Sequence, residues 1–367
     1  MHRPDVCIAG AGIIGLSLAL ELHQQGLRVT VLDRTQPLAE ASTAAAGMLA
    51  AADPHHPPEL RALSQLSLSL YPRFLESLHA LSGIRVPFQT YQTLQALPPN
   101  ILKQTTLLPQ ELANLVPALS TTNHRFVLLD EPSIDPRQLA EALLSAVHGT
   151  TIDLRPETPV LKTCSQDNDA GGNIEVHTPG NMLTAKQFVD CTGAWASFSS
   201  PLSNVQIRPK KGQMLAVSLP SSLPLSLVIR TPEIYIVPRT SGPNTGRAII
   251  GATIEDAGFD KTVHPADIDR LRSLAVALLP SLSGTTQLDA WAGLRPATED
   301  GLPLLGALTG RPNHFIATGH YRDGILLAPA TAQVMAQLLL GEIPAVDLTP
   351  FSPERPAIAK PDTKVAR

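Results

Sequence analysis

The chain has 367 residues, 43% of them hydrophobic, which is more than one core usually organises, so two domains are expected, in series or interleaved. Its 28 basic and 32 acidic residues leave a formal net charge of −4, mixed along the chain without a long basic run. That balance argues against a nucleic-acid partner and for a small-molecule substrate. Cys7, Cys164 and Cys191 lie far apart in apolar, strand-like stretches with no CxxC or HExxH spacing, so buried thiols in a reducing compartment are expected, with no disulfide framework and no metal.

The chain opens as strand, turn, helix, strand: Asp5 to Ala9, a glycine turn, Ile13 to Gln25, a stop at Gly26, then Leu27 to Leu32. The apolar run from Val6 to Leu20 holds three glycines and is flanked by Asp5 and Glu21, and it is short of the roughly 20 residues a membrane span needs. It also lacks a convincing cleavage site, so a soluble, cytoplasmic protein is expected. An Ala-rich segment, Ala41 to Ala52, runs into the turn Asp53-Pro54-His55-His56-Pro57-Pro58, where both histidines are expected on the surface, and Glu59 to Leu81 resumes with helical spacing.

From Val86 to about Asp130 short β-like runs alternate with proline turns, and Asp135 to Val147, entered through Pro136, reads as an amphipathic helix. Residues near Glu175 to His177 and Gln187 to Thr192 read as strands returning to the first sheet. Gln213 to Val217, Ile234 to Pro238 and Arg247 to Ala252 read as a second, largely antiparallel sheet with a helix at Asp267 to Leu279, and Lys210 and Lys211 are expected to face solvent. Phe315 to Thr318 is a strand, Gly319 a turn, and Ile325 to Leu340 a helix. The tail beyond Gly341 is proline-rich and aperiodic, so it is expected to drape over the surface or to be disordered. With βα signals at both ends, the fold class expected is α/β: a Rossmann-like βαβ domain interleaved with an α+β domain built on a mostly antiparallel sheet. The first would take residues 1–85, 131–209 and 287–345, the second 86–130 and 210–286, leaving 346–367 as tail.

Gly10-Ala11-Gly12-Ile13-Ile14-Gly15 follows a strand and opens a helix, the context in which GxGxxG brings a pyrophosphate against bare amides at a positive helix end. Ala19 permits tight packing of that helix on the sheet. Asp33 closes the second strand, where its carboxylate can accept hydrogen bonds from adenosine ribose hydroxyls, favouring FAD or NAD over NADP.

Four further segments resemble glycine oxidases of the D-amino-acid oxidase superfamily. Ala41 to Leu49 is similar to the segment that lines the flavin, Val189 to Trp195 to the second FAD-contacting strand and turn, and Trp291 to Pro296 with Asp300-Gly301-Leu302-Pro303 to the GxRPxTxDxxP signature. Thr318 to Pro329 resembles the segment that turns beneath the isoalloxazine and starts the last helix. The resemblance implies a non-covalent FAD, because Ala297 and Thr298 follow Arg295-Pro296 where monomeric sarcosine oxidases carry the cysteine that attaches flavin. It places Arg34, Ser42, Thr43, Ala45, Ala46, Gly47, Met48, Thr192, Gly193 and Trp195 with the glycine turn and Asp33 at the cofactor. Gly319, His320, Tyr321, Arg322, Asp323, Gly324 and Ile325 join them from the last segment.

Backbone N–H groups and the dipole at that helix start would stabilise negative charge on the reduced flavin at N1 and C2=O, and a carboxylate at Asp323 would oppose it if it pointed inward. Arg295 matches the substrate-carboxylate arginine, Tyr235 the tyrosine that supports the same carboxylate, and Arg322 an arginine near the pocket mouth, with Ile254 as a candidate lining residue. His320 stays a turn residue, since hydride transfer from a neutral amine needs no protein base.

The activity implied is FAD-dependent oxidation of glycine, sarcosine or D-alanine with molecular oxygen, giving an imine or 2-oxo acid, ammonia and hydrogen peroxide. For glycine, the product would feed thiazole formation in thiamine biosynthesis. Alternatives on the same fold are a D-amino-acid dehydrogenase, a sarcosine oxidase or a flavin domain acting on modified tRNA uridines, the last of which wants a basic surface. A non-catalytic FAD-binding protein would need neither Arg295 nor Tyr235. A homo-oligomer is compatible with the sequence, which does not fix the state.

Overall fold

A computed structural model of the chain describes residues 3–97, 105–120, 124–165, 172–196 and 206–356. A six-stranded sheet runs in the order Leu304–Ala307, His314–Thr318, Gln187–Asp190, Val6–Ala9, Val29–Leu32, Asp153–Arg155. All neighbours are parallel except the first pair. Its central strands are buried throughout, as a sheet covered on both faces requires. Helices Ile13–Gln24, Leu60–Ser82, Pro136–His148 and Gly324–Leu339 share one core with it, in which Leu16, Leu20, Leu63, Leu143 and Leu326 pack together. Asp135 caps its helix by accepting from the Arg137 N–H at 3.0 Å, with Pro136 at the first helical position.

The second sheet has seven strands, in the order Gln287–Ala297, Arg208–Ser218, Arg247–Gly251, Tyr235–Arg239, Val228–Arg230, Thr93–Leu97, Arg125–Leu129. Only Val228–Arg230 and Thr93–Leu97 pair in parallel. Helix Pro265–Leu278 covers it through Ile268, Leu271 and Ala275. Residues 287–297, grouped above with the cofactor unit, pair along their length with Arg208–Ser218 in this sheet. The 86–130 stretch supplies two of the seven strands and a short helix, Pro109–Leu115, that its turn signals concealed. No helix among the described residues is long and apolar enough to cross a membrane.

Two expectations are corrected. Residues 175–177 do not return to the first sheet: Ile174–Thr178 is the middle of a separate three-stranded sheet, between Lys162–Ser165 and Asn181–Ala185. Its burial alternates, with Ile174 and Val176 packed on Cys7, Leu32 and Phe188 while Glu175 and His177 look outward, the pattern of a one-sided antiparallel strand. Nor does Lys211 face solvent. Its side chain is 0% exposed, with Nζ 3.3 Å from Glu255 Oε2, because the backbones of Lys211 and Glu255 bond to each other and fold that carboxylate over it.

The last helix contains Pro329, which has no N–H to give the Ile325 carbonyl four residues back. Helix Leu60–Ser82 repairs the gap. The Tyr71 hydroxyl donates to that carbonyl, and Ser67 Oγ receives the Ala330 N–H at 3.1 Å while donating to the Leu326 carbonyl at 2.6 Å. The Ile325 carbonyl orphaned by sequence is thus satisfied by Tyr71, and both Tyr71 and Ser67 are fully buried.

Beyond Gly341 the described tail is docked. Phe351 is buried, and the Arg355 guanidinium, 6% exposed, grips Asp300 with contacts of 2.7 and 2.9 Å and donates to the carbonyls of Leu302 and Pro303. Residues 357–367 lie outside the described residues.

Tyr71→Phe should leave the Ile325 carbonyl unsatisfied and cost about 1–3 kcal/mol in a denaturant titration. Burial acts to raise the Asp300 carboxyl, yet the Arg355 hydrogen bonds outweigh it and hold the group below the ordinary carboxylate range. A depressed folded value contributes stability that is present above the unfolded value of about 3.9 and is lost as pH falls through the folded one. Arg355→Gln should therefore flatten the acid limb of the stability profile, measured as the denaturation midpoint against pH.

Candidate functional site

One cavity of about 550 Å³ is walled on one side by the ends of the parallel strands and the turns that follow them, and on the other by the seven-stranded sheet. Gly10 has φ +102°, and a Cβ there would lie 2.3 Å from the Cys191 carbonyl oxygen, so only glycine lets the turn lie against the neighbouring strand end. Asp33 does more than wait for a ribose. Its two oxygens accept from the Ala11 N–H at 2.7 Å and the Thr35 N–H at 2.8 Å, bracing the glycine turn from the next strand. Ser42 Oγ accepts from the Ile13 N–H at 2.9 Å, capping from outside a helix whose own N-cap is Gly12. Arg34 lies 3.7 Å over the Trp195 ring and pairs with Glu40 at 2.9 Å.

Most of the residues expected at the cofactor line this cavity: Gly10, Gly12, Ile13 and Ile14 from the turn; Asp33 and Arg34; Ser42, Ala45, Ala46, Gly47 and Met48; Thr192, Gly193 and Trp195; and His320 through Ile325. Three expected positions lie behind the wall. A Cβ on Gly15 would meet the Gly10 carbonyl at 1.9 Å, the Thr43 hydroxyl donates to the Leu38 carbonyl, and Gly319 faces Thr298.

On the opposite wall Arg295 lies across Gly212, where a Cβ would come within 2.3 Å of the guanidinium. It donates to the Thr253 carbonyl at 3.2 Å and the Lys211 carbonyl at 3.5 Å, and among the described residues no carboxylate pairs with it. The Tyr235 hydroxyl donates to Met214 Sδ at 3.2 Å beside Gly251, where a Cβ would be 2.6 Å from it. Burial pushes the Tyr235 phenol up, and the cations of Arg295 and Arg322 act in the opposite direction. Arg322 is exposed at the rim, and Ile254 also lines the cavity.

His320 is buried, its Nε2 lies 3.0 Å from Thr331 Oγ1, and burial pushes its pKa down to about 3, so it is a neutral structural ring. His56 departs from its expected surface position. The proline turn folds it onto the start of the last helix, where its ring, 17% exposed, sits with Nε2 3.0 Å from Asp323 Oδ1. His55 stays outside against Asp53.

A buried charged cluster went unread in the sequence. Arg230 Nη2 lies 2.9 Å from Glu131, its Nε hydrogen-bonds Gln95 and lies 3.8 Å from Asp53, and Asp53, His56 and Arg230 all line the cavity. Burial would raise the Asp53 carboxyl, but Arg230 and its hydrogen bonds lower it; at Glu131 burial prevails and raises it. The one local signal was a charge in the apolar strand Val228-Ile229-Arg230.

The arrangement fits a flavin dinucleotide: a backbone turn that no Cβ could occupy, an acidic residue at the second strand end, and a second helix start, at Gly324, with neither an acidic first turn nor a side-chain cap. Gly10→Ala should strip the cofactor, read as loss of flavin absorbance from the purified protein. Gly26→Ala is the control, since φ there is +82° but nothing lies within 4 Å of the new Cβ. It should keep the colour and cost about 1–2 kcal/mol of stability.

The comparisons with known proteins agree with this geometry. The pattern of the DAO family, described as FAD dependent oxidoreductase, matches residues 5–338. A bifunctional protein ThiO/ThiG from Trichormus variabilis is 35% identical over 92% of this chain, and the chain spans only about half of that protein's length, 52%. A glycine oxidase from Geobacillus kaustophilus is 30% identical, over 96% of this chain and 97% of that one. The crystal structure of glycine oxidase from Geobacillus kaustophilus superposes with a TM-score of 0.88 at 30% identity, covering 97% of this chain and 99% of the other. With the glycine turn, the braced acid and the two-walled cavity already in place, these matches mean that FAD is the cofactor and that the chain belongs to the DAO family of FAD dependent oxidoreductases.

Proposed function

We propose that the protein oxidises the α-carbon of glycine or another small amino acid, such as sarcosine or D-alanine, with molecular oxygen as acceptor. The observation that carries this reading is Arg295, a cavity-lining guanidinium held by two neutral carbonyls and paired with no carboxylate among the described residues. Its planar fork suits bidentate binding of a carboxylate, and Tyr235 beside it can donate to the same group once it leaves Met214. Two anchors on the substrate's acid end fix which face of Cα meets the opposite wall. FAD, when bound, would supply a two-electron acceptor with oxygen as the final oxidant, so that an amino acid and oxygen would become an imino acid and hydrogen peroxide. Water then converts the imine to 2-oxo acid and ammonia.

The relatives named glycine oxidase support the substrate class, and the one named ThiO/ThiG supports a role for the glycine product in thiamine thiazole formation. The cytoplasmic setting expected from the sequence belongs to the same proposal, alongside free Cys7, Cys164 and Cys191.

Incubating the yellow protein with glycine, sarcosine and D-alanine should release peroxide with at least one. Silence with all three overturns the oxidase reading, while bleaching of the flavin without peroxide would turn it into a dehydrogenase. Loss of one charged hydrogen-bonding partner is worth about 1.5–3 kcal/mol, so Arg295→Gln should lower kcat/KM by about tenfold to a hundredfold with FAD retained.

A further inference from the structure

Asp323 stands at the start of the last helix, between Arg322 and Gly324 on the cavity wall, yet it makes no side-chain cap with the helix it precedes. A carboxylate in this place subtracts from the positive end that three or four unpaired amides give a helix start, and so from the field any anion in the cavity would feel. The carboxylate is turned instead to His56, 3.0 Å away, which comes from the proline turn 53–58. Both side chains are largely buried, 17% exposed for His56 and 12% for Asp323, so solvent screens the pair weakly.

The charged groups facing the imidazole are Asp323 from the last helix, Asp53 from its own turn and Arg230 from strand Val228–Arg230, with Glu131 behind Arg230. Burial would lower the His56 pKa, but Asp323 first and Asp53 next raise it above the ordinary imidazole value. The Arg230 charge is already shared between Glu131 and Asp53, which leaves His56 as the group bonded to Asp323.

We propose that His56 is a positioning residue that cancels the Asp323 carboxylate, so that the start of the last helix keeps its positive field toward the flavin ring. This rests on the functional reading in one respect, that FAD would lie in the cavity with its pyrimidine edge toward this helix as the family resemblance implies; it does not require any particular amino acid as substrate. His56 acts through Asp323, so its effect should vanish when Asp323 carries no charge.

The probe is inorganic sulfite, which adds to oxidised flavin by giving its electron pair to form the S–N5 bond, passing negative charge to N1 and C2=O. The variants His56→Gln, Asp323→Asn and the double change are purified as holoenzymes and titrated with sulfite by absorbance. His56→Gln should weaken sulfite binding by about tenfold, the scale of one partly buried charge at a helix end. The double variant should bind sulfite within about twofold of Asp323→Asn alone, and His56→Lys, which keeps the cation, should recover most of the loss. Equal weakening by His56→Gln with and without the Asp323 charge, or no weakening at all, overturns the proposal, as does failure of the lysine to rescue while FAD is retained. Because sulfite needs bound flavin and no turnover, the predicted pattern in a protein that oxidises none of the amino acids would sink the oxidase reading and leave this inference standing.

Discussion

A guanidinium placed in a protein cavity without a carboxylate partner is costly, and here the seven-stranded sheet is arranged around one that has none among the described residues. Arg295 is laid on Gly212 and steadied by carbonyl oxygens of Lys211 and Thr253, which orient it while leaving its charge nearly whole. A carboxylate neighbour would have been the more stable choice and would have filled the place that the proposed amino-acid carboxylate takes. The same strand ties three parts of the site together. Trp291 Nε1 donates to the Ala44 carbonyl at 3.0 Å, Arg295 faces the cavity, and Ala297 bridges to His320 at the turn into the last helix. From the neighbouring Tyr235–Arg239 strand, Arg239 Nη2 donates to the Ala46 carbonyl at 2.9 Å. The Ala-rich segment that lines the cavity is therefore hung from the seven-stranded sheet, so neither wall is positioned independently.

The βαβ opening could be read directly from the residues because every local signal agreed there. Fully buried four-residue strands with a single polar side chain, Thr30, between them, glycines at the two positions where a Cβ collides, and a left-handed Gly26 all pointed one way. Arg295 and Tyr235 were singled out only through resemblance, since nothing about an arginine in Leu294-Arg295-Pro296 says that it lines a cavity with no carboxylate paired to it among the described residues. What stayed hidden was polar chemistry settled by partners distant in sequence. Lys211 looked like a surface lysine until Glu255 closed over it, and His56 looked like a loop histidine until the proline turn brought it to Asp323. Arg230, Glu131 and Asp53 come from three separate segments, so no window of sequence holds the cluster.

Pro329 makes the same point for the backbone. In the sequence it marks a helix in difficulty, yet the helix runs from Gly324 to Leu339 because Tyr71 and Ser67 stand where the missing donor would have been. The remedy is not local, and it commits helix Leu60–Ser82 to a fixed height beside the cavity end of its neighbour. Strand Ile174–Thr178 was misplaced for a related reason: alternating burial is visible in its residues, but the two partners that complete its sheet lie in segments with weak strand signals.

The grip of Arg355 on Asp300 and the carbonyls of Leu302 and Pro303 reaches back to the loop just ahead of Leu304–Ala307, the edge strand of the parallel sheet. The chain is thus buckled shut after its last helix. Any shortened version, affinity tag or fused partner has to leave this buckle intact and begin beyond it, because a cut at Gly341 would free an edge strand whose exposed backbone can recruit other copies into aggregates.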